Sequence, residues 1–314
     1  MKIFIKTAAT DTKNTTDGYG SAKYNIQESL KALGHEVPET NDNIDVQLNF
    51  ARPPLFVLKN EAYNIGYAPW ESLELPKDWK KNADKCDEMW TTSDFCANIY
   101  DAAGIKNVKV FQHGIEKIWT PVKREKSEVL KFLHVGLPEG RKGGIEVLSS
   151  FIDIFGGNPN YHLTLKAYPG VTFDMNRIPP NVTIISKTIT KEELVELHHQ
   201  NDVMVYPSFG EGFGLIPLQA LATGMPTIST SAWAPYRKYI GPLSLSSSPT
   251  PTRWEEKHPG TMLQPSLPHL GHLMTDVAYN FEEYSDYYYN QAEQILDEYD
   301  WVRLTEDAFK HIVK

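Results

Sequence analysis

The 314-residue sequence has only two cysteines, Cys86 and Cys96. They make neither a close metal-binding pair nor a disulfide framework, so a reducing, cytoplasmic setting is the expectation. Long apolar runs are absent too: none approaches the roughly 20 residues that span a bilayer. Residues 1–6 hold a single three-residue apolar run after one lysine. That is too short for a signal peptide and suits a buried first strand. Positive charge is scarce, with 31 Lys and Arg against 40 Asp and Glu and a net charge of −9. Spread evenly, that deficit would argue against a nucleic-acid partner. It is concentrated, however: residues 255–314 carry twelve acids against four bases, which leaves the rest near neutrality and an anionic partner possible. There is no internal repeat of fixed period. The pair His198-His199 has no spaced acidic or Cys partners, and no Asp-any-Asp motif stands at a strand end, so no metal is expected.

What is present is the mix of a soluble globular protein, 41% apolar and 23% charged, at a length sufficient for two domains. Strand and helix signals alternate, the pattern of a mostly parallel α/β sheet. The first half offers strands over 2–6, 44–49, 63–67, 88–91 and 108–111. A polar loop leads to Asp17-Gly18-Tyr19-Gly20 and a helix follows it, with Ala22, Ile26, Leu30 and Leu33 at helical spacing and Gly34 ending it. A second helix covers 94–103. Residues 119–126, polar and containing Pro121, read as an interdomain linker. The pattern then restarts, with strands over 129–135, 162–167, 182–186, 203–206 and 227–230. Helices follow residue 144, start at Lys191 behind the cap Thr190, and cover 217–223. Residues 241–268, rich in Pro, Ser and Thr, read as irregular surface loop, and helices over 270–280 and 284–311 finish the chain. The domain expectation is 1–118, 119–290, and a final segment 291–314 packing back on the first domain.

Two segments carry chemistry. In Tyr206-Pro207-Ser208-Phe209-Gly210-Glu211-Gly212-Phe213-Gly214-Leu215 a strand runs into a loop of three glycines and one carboxylate, then into a helix. Helix N-terminal amides suit phosphate. Glu211 is a poor phosphate ligand but a good sugar ligand, because a carboxylate accepts from two hydroxyls. The plainer alternative is a tight turn with a solvated Glu. The other segment runs from Gly136 to Gly144, with Arg141 and Lys142 at the mouth of a helix. Two cations there suit a diphosphate and can stabilise charge as it leaves.

Taken whole, the string from Tyr206 to Pro226 resembles the signature of retaining GT-B glycosyltransferases (family 4-like, group 1). Pro-Ser is followed by Glu-Gly-Phe-Gly, and the family's second acid, eight positions after the first, falls on Gln219. The resemblance implies two Rossmann-like domains facing a cleft, with the last helix crossing back to the first domain. It implies transfer from a nucleoside diphosphate sugar, a substrate rather than a cofactor, with retained configuration and without metal. Glu211, Arg141 and Lys142 would be catalytic. Gly136, Gly212, Phe213, Gly214, Leu215 and Gln219 would bind the donor, with Thr188 and Ile189 against the nucleobase. Gln219 would hold the ribose without the charge-assisted strength of an acid. On the acceptor or sugar side stand Gly18, Tyr19 and Gly20 and, where many relatives place a His, Glu71. His113-Gly114 resembles the family's turn at the end of the first domain.

Family frequency favours UDP-glucose as donor. The short chain brings to mind phage-encoded relatives that glycosylate hydroxymethylated pyrimidines in DNA, acting in the host cytoplasm. Relatives that extend glycans or glycolipids are the competing group, and a binding module without turnover is the non-enzymatic alternative. Lys77, Lys80, Lys81 and Lys85 around Trp79 form the basic cluster that could meet DNA or anionic lipid headgroups, or simply a solvated helix face.

Overall fold

The computed structural model describes residues 1–7, 18–137, 140–171 and 173–312. The first half comprises β1 (Ile3–Thr7), α1 (Gly18–Ala32), β2 (Val46–Phe50), β3 (Tyr63–Tyr67), α2 (Trp79–Ala83), β4 (Glu88–Thr91), α3 (Asp94–Ala102) and β5 (Val108–Val110). Its five strands are all parallel and lie in chain order. All residues of β2 and β4 are buried, as expected for strands covered on both faces.

The second half comprises β6 (Leu130–Val135), α4 (Gly144–Phe155), β7 (Tyr161–Lys166), β8 (Val182–Ile185), α5 (Lys191–His199), β9 (Val203–Tyr206), α6 (Leu215–Ala222), β10 (Thr227–Thr230), α7 (Arg237–Ile240) and β11 (Ser244–Leu245). Its parallel sheet runs β11-β10-β9-β6-β7-β8. The order therefore reverses between β6 and β9, which pair through Phe132 with Val203 and Leu133 with Met204. In an open α/β sheet, ligands bind beyond the carboxyl ends of the strands at such a reversal. Both sequence segments singled out above leave the sheet there.

Residues 241–268 are not an irregular loop. They contain β11 and an antiparallel ribbon of β12 (Ser247–Pro251) and β13 (Thr261–Pro265). Prolines obscured it, yet they sit where a ladder needs no donor. Thr252 donates to the Gly260 carbonyl at 2.9 Å and Ser266 to that of Ser246 at 2.9 Å. Alternation from those two bonds places Pro249, Pro251 and Pro265 at positions whose nitrogen faces away from the partner strand.

The single closing helix expected over 284–311 is three: α9 (Phe281–Tyr289), α10 (Ala292–Glu298) and α11 (Trp301–Phe309), preceded by α8 (Leu267–Tyr279). Asp300 starts the last of them, its carboxylate accepting from Arg303 N at 3.0 Å. The break matters because neighbouring residues serve different cores. Ile295 and Tyr299 pack in the second half, whereas Trp301 and Phe309 join Ile3, Phe50, Tyr67 and Trp90 in the first. The final helix thus crosses back, and the crossing is fastened where Ile115 N donates to the Tyr299 carbonyl at 2.7 Å.

The segment 119–126 is pinned to the second half. Arg124, 5% exposed, donates to the carbonyls of Asn201, Val122, Thr223 and His198 at 2.8–3.1 Å and to the Thr223 hydroxyl at 3.2 Å. Burial draws its guanidinium down to about 10. Arg124→Ala leaves these buried carbonyls without donors, so chemical denaturation should show a loss of about 3 kcal/mol. A variant as stable as the parent would mean that water replaces the guanidinium.

Candidate active site in the interdomain cleft

A cleft of about 600 Å³ opens between the carboxyl ends of the two sheets. Gly18, Tyr19, Glu71, Gly136, Arg141, Lys142, Thr188, Ile189, Glu211, Gly212, Phe213, Gly214, Leu215 and Gln219 all line it. Gly20 is buried inside α1 instead. Gly18 to Gly20 are the first turn of that helix, not part of a glycine-rich loop ahead of it, and residues 8–17 lie outside the described residues.

The centre is a buried charge cluster. One oxygen of Glu211, Oε1, accepts from Arg141 Nη1 at 2.8 Å, Lys142 Nζ at 2.5 Å, the Tyr206 hydroxyl at 2.9 Å and Ser208 Oγ at 3.0 Å. Arg141 also reaches Glu71 Oε1 at 3.0 Å, across the cleft. Burial pushes the Glu211 carboxyl up, but Arg141 and then Lys142 outweigh it and hold it down at about 2. For Arg141, burial is outweighed by Glu211 and Glu71, so its pKa rises and it stays charged. Burial and the Arg141 charge draw Lys142 down. The loops that carry these side chains run into α4 and α6, whose N-caps, Gly143 and Gly214, are both left-handed at φ 78° and 81°. Their first amides add partial positive charge on the same side.

Two glycines of the Glu211 loop are required by the packing of one half of the protein on the other. A Cβ on Gly210 would lie 1.9 Å from the Glu71 carbonyl, and one on Gly212 2.4 Å from the Pro69 side chain. They let the other half of the protein come close, rather than a ligand. Thr92 and Ser93, at the end of β4, hold the Gly212 carbonyl at 2.7 and 2.8 Å.

Gln219 lines the cleft at 9% exposure, and its buried Oε1 has no hydrogen-bond partner among the described residues. His113 also lines the cleft, 5% exposed, packed against Phe50, Tyr67, Phe213 and Trp301, with both ring nitrogens unpartnered among the described residues. Lys166, at the end of β7, lines it as well and donates to the Ala167 carbonyl. Burial lowers its pKa.

Sequence reasoning missed Trp254, Lys257 and His258, which reach the cleft from the ribbon. The signal was a tryptophan and a histidine inside an otherwise Pro/Ser/Thr-rich stretch. The basic cluster is also different from its sequence impression. Trp79 is 3% exposed and packed against Trp70, and Lys80 is held by Asp84 at 2.7 Å and the Gly104 carbonyl at 2.6 Å. Among the described residues, no three His, Cys, Asp or Glu are grouped to hold a metal ion, and no helix is long and apolar enough to cross a membrane.

Residues 176–252 match the family described as glycosyl transferases group 1. A serotype-specific mannosyltransferase of Escherichia coli, WbdA, is 30% identical over 104 residues, which is 31% of this chain. The chain spans only 13% of the length of that relative. Among solved structures, a sucrose-phosphate synthase from Thermosynechococcus elongatus is similar with a TM-score of 0.72 at 13% identity, over 99% of this chain and 98% of that one. WaaG, a glycosyltransferase involved in lipopolysaccharide biosynthesis, is similar with a TM-score of 0.62 at 13% identity, over all of both chains. The chain therefore has the GT-B fold from end to end, and the glycosyl transferases group 1 match falls within its second half, across the Glu211 loop.

Proposed function

We propose that this protein is a retaining glycosyltransferase that moves a hexose from a nucleoside diphosphate sugar to a hydroxyl of a carbohydrate acceptor. The observation that carries the reading is the Arg141–Lys142–Glu211 cluster at the strand-order reversal, on the two loops that run into α4 and α6. As the bond from the anomeric carbon to the phosphate oxygen breaks, negative charge collects on the leaving diphosphate. Arg141, Lys142 and the first amides of α4 and α6 are placed to meet it. Glu211 orients the sugar through its hydroxyls, and the Oε1 of Gln219 accepts from the ribose. UDP-glucose is the first donor to try; the likeness to a mannosyltransferase adds mannosyl donors to the panel.

A carbohydrate acceptor is placed ahead of hydroxymethylated DNA because Trp79 is core and Lys80 is already paired, which leaves the basic cluster a helix face. DNA as acceptor would show itself by binding that weakens steeply between about 50 and 200 mM salt.

The test incubates the protein with UDP- and GDP-hexoses, alone and with methyl glycosides or hydroxymethylated duplex. Nucleoside diphosphate should be released slowly without acceptor and faster with one, in the presence of excess EDTA, and NMR of the product should show the donor's anomeric configuration. Tight donor binding with no release under any condition would make the chain a binding module. Loss in EDTA restored by Mg²⁺ would refute the charge-based mechanism. Gln219→Glu supplies the charge-assisted hydrogen bond that Gln lacks, and should tighten nucleoside diphosphate binding about fivefold, roughly 1 kcal/mol. Unchanged or weaker binding would remove Gln219 from the ribose.

A further inference from the structure

The β12–β13 ribbon belongs to the second half but is stitched to both. Leu263 N donates to the Phe209 carbonyl at 2.8 Å on its own side, and Leu73 N, from the first half, donates to the Thr261 carbonyl at 2.8 Å. Its tip, residues 252–260, is thereby carried over the cleft beside Glu71. There His258 lies against Trp70 with ring centroids 5.5 Å apart, and Trp254 meets Phe209 edge-on at 5.4 Å. The His258 side chain is 17% exposed, and its buried Nδ1 has no hydrogen-bond partner among the described residues. Glu71 Oε2 stands 3.6 Å from it, just beyond bonding distance, while Glu71 Oε1 is taken by Arg141. An unpartnered ring nitrogen beside a carboxylate oxygen, with the Trp254 indole also on the cleft, makes a set that recognises a sugar. One hydroxyl can donate to the carboxylate and accept from the imidazole, and a sugar's apolar face can lie on the indole.

We propose that His258, Glu71 and Trp254 form the acceptor subsite, so that the ribbon tip selects a hexose bearing a free hydroxyl. The proposal rests on the glycosyl-transfer reading and deepens it. His258 and Glu71 hold the attacking hydroxyl, with Arg141 linking Glu71 to the Glu211 cluster.

The experiment uses the full chain saturated with UDP or GDP, whichever binds, and methyl α-mannoside and methyl α-glucoside as probes. Saturation-transfer NMR should show at least one methyl hexoside bound to the parent. His258→Ala and Trp254→Ala should each weaken that binding at least tenfold, with nucleoside diphosphate affinity from calorimetry unchanged. His258→Gln, which keeps an amide donor and acceptor, should recover part of it and guards against an effect of a disturbed ribbon. Equal binding to parent and variants would overturn the proposal, as would a parent that binds nucleoside diphosphate but neither hexoside. A parent that neither binds a nucleoside diphosphate nor releases one from any sugar nucleotide sinks the glycosyl-transfer reading itself, a separate outcome.

Discussion

Glu211→Gln should lower turnover of the donor by about 10²–10³-fold without weakening the affinity for free nucleoside diphosphate. The magnitude is that of removing one preorganised electrostatic contact to a reacting group, about 3–4 kcal/mol. The split between the two readouts follows from the geometry. The carboxylate is the counter-charge of two buried cations, at 2.8 and 2.5 Å. On the mechanism proposed above, it competes with a diphosphate for them in the absence of donor and takes the sugar's hydroxyls once donor is bound. The amide keeps the shape and can still accept from Tyr206 and Ser208, but it no longer neutralises Arg141 and Lys142. The site becomes more positive, so the diphosphate binds at least as well while the sugar loses its anchor. Parallel losses in affinity and turnover would show instead that Glu211 only props the loop. The variant also leaves buried Lys142 without its carboxylate and Arg141 with Glu71 alone, which costs about 3 kcal/mol of stability. A denaturation curve alongside the kinetics separates the two effects.

Acidification from pH 7 to 5 should lower stability steeply, with proton uptake on unfolding. Burial holds His113 at about 3, and burial, opposed by a carbonyl hydrogen bond, holds His134 and His198 at about 4. In the unfolded chain each returns to about 6.5. The sign follows: between about 6.5 and 4 the unfolded state binds protons that the fold refuses. Stability is therefore fully present above 6.5 and falls as the pH drops below it, by up to about 1.4 kcal/mol per unit for each histidine. Three together approach about 4 kcal/mol per unit, against a total stability of about 5–15 kcal/mol. Below about 4.5 the depressed Glu211 carboxyl adds a loss of the same sign. Urea midpoints at pH 7.5, 6 and 5 measure the slope. His113→Phe, which removes a ring with two unpartnered nitrogens, should flatten it by one proton and stabilise the fold. A flat profile between pH 7 and 5 would mean that these rings protonate within the fold.

The strands over 63–67, 88–91, 203–206 and 227–230 were legible to the residue, because buried parallel strands are short apolar runs bounded by turn residues. The contacts of the Glu211 loop were not. Its glycines look the same in sequence whether they admit a phosphate or a neighbouring backbone, and only the position of Pro69 to Glu71 decides. Glu71 could be singled out by its place after β3, whereas His258 could not: it reaches the cleft from 187 positions further along, on a ribbon whose prolines read as loop. The closing helices show a related failure. Helical periodicity continues through Tyr299-Asp300, and only the exchange of one core for another reveals the break.

The prolines of the ribbon bear on how the protein meets other copies of itself. A two-stranded ribbon has two outer edges, and each offers a row of amides and carbonyls to any extended chain nearby. On β12, Pro249 and Pro251 occupy outward positions and have no N–H to offer. On β13, Pro265 is equally silent, the outward amide of Leu263 is given to Phe209, and the outward carbonyl of Thr261 is taken by Leu73. Neither edge offers an unbroken row of free amides, which makes a ribbon held over an open cleft a poor seed for intermolecular strand addition.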